Sequence, residues 1–403
     1  MPVSSVPPWW IGIAISYYAF IAIGITEAGL GVLLPSILVD YDLTPATVTL
    51  LFVSQISGYI LAALMSSIIS HRLGLGPMLL LASGALTLAL IVYGLSPLWS
   101  IMVVMGALLG LGIGLIDAGV NTAIVQDNSS APLIGTLHGF YGVGALLGPA
   151  IATTLMAAGY DWRLVYLVLA SLVGLLGVAV GTALFCRYPP LLHRNPAGST
   201  TAWRTLKRSL KVPVVLLSGL FLLIYIGIEA GLGNWAYTVQ VLARSTPELV
   251  AGYSVSAYWL GLTLGRFLLG YCLTWLGAIR TLSVSLLTLL LGLMAWWQLP
   301  EQWISLPLIG FALAPIFPAT IWLIPKRLPA ALVPAAIGFT TSAASFGAAL
   351  IPTGIGWIAD WAGLAVIPAL LLPLAIAMVG LHHWLVRLSR ERLARLDSRT
   401  GGQ

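Results

Sequence analysis

Four ionisable side chains lie well inside apolar stretches of the sequence: Glu27, Asp117, Glu229 and Arg266. A charge at the centre of a membrane helix costs about 2.5–3.5 kcal/mol, so each is a candidate functional residue that faces a cavity. Three acids against one arginine leave a net negative charge, and both burial and like-charge repulsion favour the neutral, protonated form of a carboxyl. Glu27, Asp117 and Glu229 are therefore candidate proton carriers. Sodium is the competing ion, and the alternative role is a charge pair that only locks helices together.

Two of these acids open the same five-residue sequence. EAGLG occupies residues 27–31 and again residues 229–233. Four further pairs recur 203 residues apart: Gly58 with Gly261, Gly74 with Gly277, Gly144 with Gly347, and Pro149 with Pro352. The recurrence predicts two halves that run in the same direction through the membrane. Transporters commonly place their substrate site between such halves, near the bilayer midplane.

The surroundings of Asp117 suit a hydroxylated ligand. Asn121 follows Asp117 by four residues, so both lie on one face of a helix. A carboxylate and an amide together offer the acceptors and donors that a polyol needs. Gly106, Gly110 and Gly114 continue this face without side chains, which lets a ligand or another helix approach closely. Plain helix packing is the alternative for all of these residues.

Four more polar or aromatic residues are candidates for substrate binding. Asn234 and Trp235 follow Glu229, and an amide beside an aromatic face suits a sugar. Gln55 and Gln240 are further amides within apolar stretches. The chain holds 15 Trp, many of which are expected in interfacial belts, so Trp235 is equally well explained as a structural residue.

Three residues are candidates for gating, together with Arg266 as the partner of Glu229. His138 begins a predicted helix, and histidine titrates near physiological pH, although a structural role explains it as well. Pro315 and Pro318 must break or bend their helix because proline removes a backbone hydrogen bond. A bend there is suited to gating.

The elements that position these residues are membrane helices. The 403 residues are 59% hydrophobic and 7% charged, whereas soluble domains carry roughly 25% charged residues. Long apolar runs predict twelve spans at 10–38, 47–70, 77–96, 98–126, 133–158, 163–186, 213–242, 249–275, 279–299, 302–325, 332–358 and 363–386. The predicted domains are a first bundle (1–186), a basic cytoplasmic linker (187–212), a second bundle (213–386) and a basic cytoplasmic tail (387–403).

The charges predict an orientation. With a cytoplasmic N-terminus, the inner loops and the tail hold all of the 18 Lys and Arg except Arg163, Arg244 and Arg266. This positive-inside asymmetry supports twelve spans with both termini in the cytoplasm. We expect the protein in an inner or plasma membrane. The asymmetry also explains the net charge of +6 without a nucleic-acid partner. The basic linker is interpreted as a topological signal, with contact to anionic lipid as the alternative.

Enzyme signatures are absent from the sequence. It contains no phosphate-binding loop, no Cys–His cluster for a metal and no specific nucleophile–base pair. Cys186 and Cys272 indicate neither a disulfide framework nor a metal site. The sequence therefore predicts a monomeric transporter rather than an enzyme, with no cofactor and with protons as the coupling ion.

Several motifs give the chain a resemblance to the major facilitator superfamily over its full length. GVGALLGP (142–149) resembles the Gly-x-x-x-Gly-Pro motif of that family, whereas SIISHRLG (67–74) departs from the family loop pattern by lacking its Gly and Asp. IDAGVNT, LHGFYGVGALLGP, YWLGLTLGRFLLG and APIFPAT resemble the fucose-permease-like sugar:proton symporters. The resemblance implies an all-α membrane fold of twelve transmembrane helices in two six-helix parallel repeats. It also implies proton and sugar roles for Glu27 and Asp117, and a substrate role for Asn121.

The sequence thus predicts secondary active transport: proton-coupled symport of a sugar or small polyol by alternating access. Two alternatives stay open. Proton-driven efflux of an amphipathic drug or lipid requires a mostly apolar cavity. A membrane sensor or assembly factor requires Glu27 and Asp117 to pair tightly with neighbours and needs no cavity.

Overall fold

A computed structural model describes residues 10–126, 131–192, 202–299 and 303–400. Within these ranges nearly every residue is helical and no strand occurs. The α-helices are α1 (Trp10–Asp40), α2 (Pro45–Val48), α3 (Leu50–Leu73), α4 (Leu75–Leu95), α5 (Trp99–Gln126), α6 (Ala131–Ala157), α7 (Trp162–Phe185), α8 (Pro189–Leu192), α9 (Ala202–Ser209), α10 (Pro213–Thr238), α11 (Glu248–Trp275), α12 (Ala278–Gln298), α13 (Ser305–Leu313), α14 (Ile316–Arg327), α15 (Val333–Ala362) and α16 (Ile367–Thr400).

The helices have the length and composition of membrane spans. Among the described residues, 11 helical segments are long and apolar enough to cross a bilayer. The remaining predicted span, 249–275, corresponds to α11, which has 28 residues but is less apolar because it contains Ser, Tyr, Gly and Arg266. Each of the twelve predicted spans therefore coincides with a helical segment.

One span is interrupted where the sequence predicts a break. Helix α13 ends at Leu313, and α14 begins at Ile316. Pro315 is the residue that caps α14, and Pro318 lies in its first turn, where a missing N–H costs nothing. The break predicted from the two prolines is present, while their role in gating stays a prediction.

The chain divides into two compact units. Unit 1 contains residues 1–198 and 246–259, and unit 2 contains 199–245 and 260–403. Residues 246–259 thus group with unit 1, whereas the sequence analysis assigned them to the second bundle. The linker contains α8 and α9, and α16 continues past residue 386 to Thr400. The predicted domain boundaries stay a prediction.

Unit 1 is organised by close pairs of helices. Helix α1 packs against α6, α3 against α5, and α4 against α5 and α7. The α1–α6 crossing is so close that a Cβ added at Gly144 would lie 2.2 Å from the carbonyl oxygen of Ile21. Only glycine permits this approach of the two backbones.

Unit 2 repeats the same crossing. Helix α10 packs against α15, and a Cβ added at Gly347 would lie 2.1 Å from the carbonyl oxygen of Leu223. Gly347 follows Gly144 by 203 residues, and Leu223 follows Ile21 by 202. The repeated glycine therefore performs the same packing task in each unit.

The two arginines that we predict on the outer side are both held by structural partners. Arg163 Nη1 lies 3.3 Å from Asp40 Oδ2, and its guanidinium lies 4.4 Å from the ring centroid of Trp162. Arg244 donates through Nη2 to the carbonyl oxygen of Trp296, near the end of α12. These two exceptions to the charge asymmetry thus have a structural explanation.

Candidate functional site

Glu27 occupies an unusual position near the middle of α1. Residues 22–35 are all buried except Glu27, which is exposed. Glu27 is therefore the one exposed side chain within this otherwise buried stretch. An exposed carboxylate on such a helix is accessible to a proton or a ligand.

Asp117 on α5 is half-buried and held by two uncharged donors. The Tyr59 hydroxyl donates to Oδ2 over 2.6 Å, and the Asn121 amide donates to Oδ1 over 2.8 Å. The same amide also donates to the backbone carbonyl of Asp117 over 2.9 Å. No Lys or Arg in the described ranges forms an ion pair with Asp117. Both carboxylate oxygens therefore accept a hydrogen bond, and neither of the two donors carries a charge.

Glycines of α5 bring Tyr59 within reach of Asp117. A Cβ added at Gly110 would lie 1.8 Å from the carbonyl oxygen of Gln55 on α3. At Gly114, one turn further, it would lie 2.9 Å from the carbonyl oxygen of Tyr59. The glycine face of α5 thus packs against α3. This packing is the alternative role that the sequence left open for these glycines. Gln55 supplies its backbone to this contact, and its half-buried side chain keeps a predicted substrate role.

Glu229, the candidate acid of unit 2, is paired with an arginine. Arg266 Nη2 lies 3.4 Å from Glu229 Oε1, and the Tyr225 hydroxyl donates to Oε2. Only 8% of the Glu229 side chain and 14% of the Arg266 side chain are exposed. In a buried ion pair of this kind, removal of one partner leaves the other charge buried without compensation. The pairing of Glu229 with Arg266 that the sequence left open is thus present in the structure.

Three predicted substrate residues follow Glu229 along the chain. Trp235 is fully buried, and its indole N–H donates to the carbonyl oxygen of Pro352 over 3.0 Å. Gln240 is also fully buried, lies in a π-helical turn (Val239–Ala243) and donates to the carbonyl oxygen of Ala236 over 3.2 Å. Asn234 is half-buried. The contacts of Trp235 and Gln240 are structural, and the substrate roles of all three stay predictions.

His138 packs at the edge of an aromatic ring on α1. Its ring centroid lies 5.5 Å from that of Phe20, with an interplanar angle of 85°. The contact joins α6 to α1, and the His138 side chain is half-buried. Its role in gating stays a prediction. In the described part of the chain no group of three His, Cys, Asp or Glu side chains is arranged to hold a metal ion.

Tyr59 and Tyr225 belong to these sites but were not predicted from the sequence. Tyr225 precedes Glu229 by four residues, so helical spacing alone pointed to their contact. Tyr59 lies on a different helix from Asp117, and nothing local in the sequence marks it. Only the register in which α3 packs against the glycines of α5 brings the two side chains together.

Comparison with known proteins identifies the family. The sequence profile of the Major Facilitator Superfamily matches residues 16–306, well over half of the chain. The chain belongs to the Major Facilitator Superfamily. Membership confirms the predicted fold class, two six-helix repeats of the major facilitator fold, and confirms that this multi-pass membrane protein is a transporter rather than an enzyme.

Two curated relatives align with most of the chain. "Bypass of stop codon protein 6" of Saccharomyces cerevisiae is 26% identical over 388 residues, covering 87% of this chain and 77% of that protein. The glucose/mannose transporter GlcP of Bacillus subtilis is 24% identical over 382 residues, covering 91% of this chain and 92% of that protein.

Solved structures of other transporters share the fold. A point mutant of the nucleoside transporter NupG superposes with a TM-score of 0.75 at 14% identity, covering 94% of this chain and 99% of that chain. The D-xylose-proton symporter superposes with a TM-score of 0.73 at 15% identity, covering 92% of this chain and 97% of that chain. At these identities the similarity establishes the fold alone.

Proposed function

We propose that this superfamily member is a symporter that moves a sugar or small polyol together with protons by alternating access. The observation that carries the proposal is the exposed carboxylate of Glu27 in an otherwise buried stretch of α1. Inserting a charged side chain into a membrane helix costs free energy, so its presence indicates a function beyond packing. Proton exchange or contact with a polar substrate provides one.

Asp117 is proposed as the coupling acid. Its two oxygens accept hydrogen bonds from Tyr59 and Asn121, so protonation of either oxygen changes the hydrogen bonding at this acid. Tyr59 can adapt, because a hydroxyl accepts as well as donates. When Oδ2 is protonated, the tyrosine oxygen accepts that proton in a hydrogen bond, and its own O–H is released. The freed O–H and the side-chain carbonyl oxygen of Asn121 are then available for substrate hydroxyls.

Glu229 and Arg266 are proposed as a charge pair of unit 2 rather than as carriers of the coupled proton. Because Arg266 and Tyr225 both hold the Glu229 carboxylate, this acid is less suited than Glu27 or Asp117 to carrying a proton. A change of partners during rocking remains part of the proposal for this pair. The coupling function is therefore assigned to unit 1.

Relatives of known cargo support the choice of substrate class. GlcP is named a glucose/mannose transporter, and one protein of similar fold is a D-xylose-proton symporter. Hexoses and pentoses are accordingly the first candidates, and nucleosides are the next because NupG shares the fold. We further propose a monomer in the inner or plasma membrane, with both termini cytoplasmic and no cofactor.

The test uses purified protein in sealed liposomes that contain a pH-sensitive dye. Glucose, mannose, xylose, a nucleoside and an amphipathic cation are added in turn outside. We expect a sugar to drive proton entry, and Glu27→Gln and Asp117→Asn to abolish it. The exposed acids Glu248 and Asp42, changed to Gln and Asn, are matched controls that should leave proton entry intact.

Other outcomes would change the proposed function. Proton movement with the amphipathic cation but with no sugar or nucleoside would replace symport by efflux. Proton entry with a nucleoside alone would change the substrate class and leave the coupling acids in place. No response to any compound would contradict the proposed proton-coupled symport of a sugar or polyol.

A further inference from the structure

Helix α9 carries a row of exposed cations. Arg204, Lys207 and Arg208 lie in α9, Lys211 lies in the turn that follows it, and all four are exposed. The spacing of three and four residues places the first three on one side of α9. No acid interrupts the sequence from Ala202 to Lys211. We call these four side chains the basic stripe.

The opposite side of this segment is attached to unit 2. Leu206 and Leu210 are partly buried, and Ser209 is fully buried. Helix α9 packs against α15 and against the short 3₁₀ turn that precedes it. Packing on one side and cations on the other give the segment an amphipathic character, and they fix the direction in which the stripe points relative to unit 2.

The stripe lies directly at the end of a membrane span. Lys211 precedes Pro213, the first residue of α10, by two positions. Backbone hydrogen bonds continue through the junction, from Lys211 N to Arg208 O over 3.2 Å and from Val212 N to Ser209 O over 3.0 Å. The connection is therefore a continuous series of turns, and the cations closest to α10 are held near the bilayer boundary.

We propose that the basic stripe binds the phosphate groups of anionic lipids in the leaflet next to it, which is the cytoplasmic leaflet in our orientation. Exposed cations beside a span attract anionic headgroups, with an expected loss of about fivefold in affinity for each cation removed. Salt should weaken the interaction because exposed charges are screened over roughly 10 Å. Bound lipid would hold α9 and the start of α10 at the membrane surface.

A topological signal makes a different prediction from a lipid site. Positive charges that only guide membrane insertion need not bind lipid once the protein is folded. A lipid site, in contrast, must bind anionic lipid in the purified, folded protein. The inference does not depend on which substrate is transported, so its test and the transport test fail separately.

The experiment titrates phosphatidylglycerol into the full-length protein in neutral detergent micelles and counts bound lipids by native mass spectrometry. We expect Arg204→Gln/Lys207→Gln to lower the apparent affinity, and the variant with all four cations changed to Gln to lower it further. Arg204→Lys/Arg208→Lys keeps the charge and should bind as the parent does. Arg72→Gln/Arg280→Gln removes two exposed cations that lie on separate helices rather than in a row, so it should lower the affinity less and is the matched control.

Three results would overturn the proposal. The first is unchanged affinity in the two-cation and four-cation variants. The second is an equal loss in the Arg72/Arg280 control. The third is competition by inorganic phosphate at the same concentration as the lipid phosphate, which would indicate a soluble anion as the ligand. Thermal unfolding without phosphatidylglycerol shows whether the four-cation variant is folded. If that variant is unfolded, the two-cation variant alone tests the proposal.

Discussion

Arg266 Nη2 lies 3.4 Å from Glu229 Oε1 in the interior of unit 2. Arg266→Gln leaves the buried Glu229 without its counter-charge, and we expect the free energy of unfolding to fall by about 3–5 kcal/mol. The double variant Glu229→Gln/Arg266→Gln removes both charges and should recover most of the loss. Thermal unfolding in detergent micelles measures both. Equal losses in the single and double variants would contradict a buried pair.

Removing the Tyr59 hydroxyl should impair transport without unfolding the protein. Tyr59→Phe keeps the ring but leaves Asp117 Oδ2 without its donor. A hydrogen bond to a charged group contributes about 1.5–3 kcal/mol, so we expect substrate-driven proton entry to fall roughly 10- to 100-fold.

A second tyrosine provides the control for this change. Tyr18 donates to the carbonyl oxygen of Leu172, so Tyr18→Phe removes a hydroxyl of unit 1 without touching Asp117. Proton entry at the parent rate in Tyr59→Phe, or an equal fall in both variants, would contradict the assignment of Tyr59 to the coupling site.

The crossing of α3 and α5 should tolerate no side chain at Gly110. A Cβ there would overlap the Gln55 carbonyl oxygen, so Gly110→Ala must push the two helices apart, at a cost of about 1–3 kcal/mol. Gly84→Ala is the matched control, because nothing lies within 4 Å of its added Cβ. We expect a lower unfolding temperature for Gly110→Ala alone. An unchanged unfolding temperature would show that the crossing is looser than described.

Trp235→Phe separates a structural from a substrate role for that residue. The change keeps an aromatic face for a sugar but removes the N–H that bonds to the Pro352 carbonyl oxygen. We expect the free energy of unfolding to fall by about 1–3 kcal/mol, with an unchanged half-saturating substrate concentration. A weaker apparent affinity at unchanged stability would favour contact with substrate instead.

Much of the fold was predictable because the bilayer limits the choices. Backbone polar groups must be satisfied within each span, so apolar runs of sufficient length become helices. The glycine pairs 203 residues apart were informative because Gly144 and Gly347 meet equivalent backbones. The break at Pro315 followed from the missing N–H of proline. The extension of α16 to Thr400 was not predicted, because a helix leaving the membrane no longer needs apolar residues.

The candidate sites were predicted less completely because side-chain environment depends on tertiary packing. The identical EAGLG sequences predicted two acids but not their different surroundings: Glu27 is exposed, whereas Glu229 is buried beside Arg266. Arg266 lies on another helix, and its partner depended on helix register. The amides and Trp235 were candidates by residue type, and only the structure shows that Trp235 and Gln240 bond to backbone carbonyls.

The most direct test of the assignment of coupling to unit 1 compares uphill accumulation with exchange. Labelled sugar is followed in liposomes either under an imposed proton gradient or with unlabelled sugar on the other side and no gradient. We predict that Asp117→Asn loses accumulation but still exchanges sugar, whereas Glu229→Gln/Arg266→Gln retains accumulation. Proton-driven accumulation by Asp117→Asn at the parent level, or its loss only in the unit 2 double variant, would contradict the account.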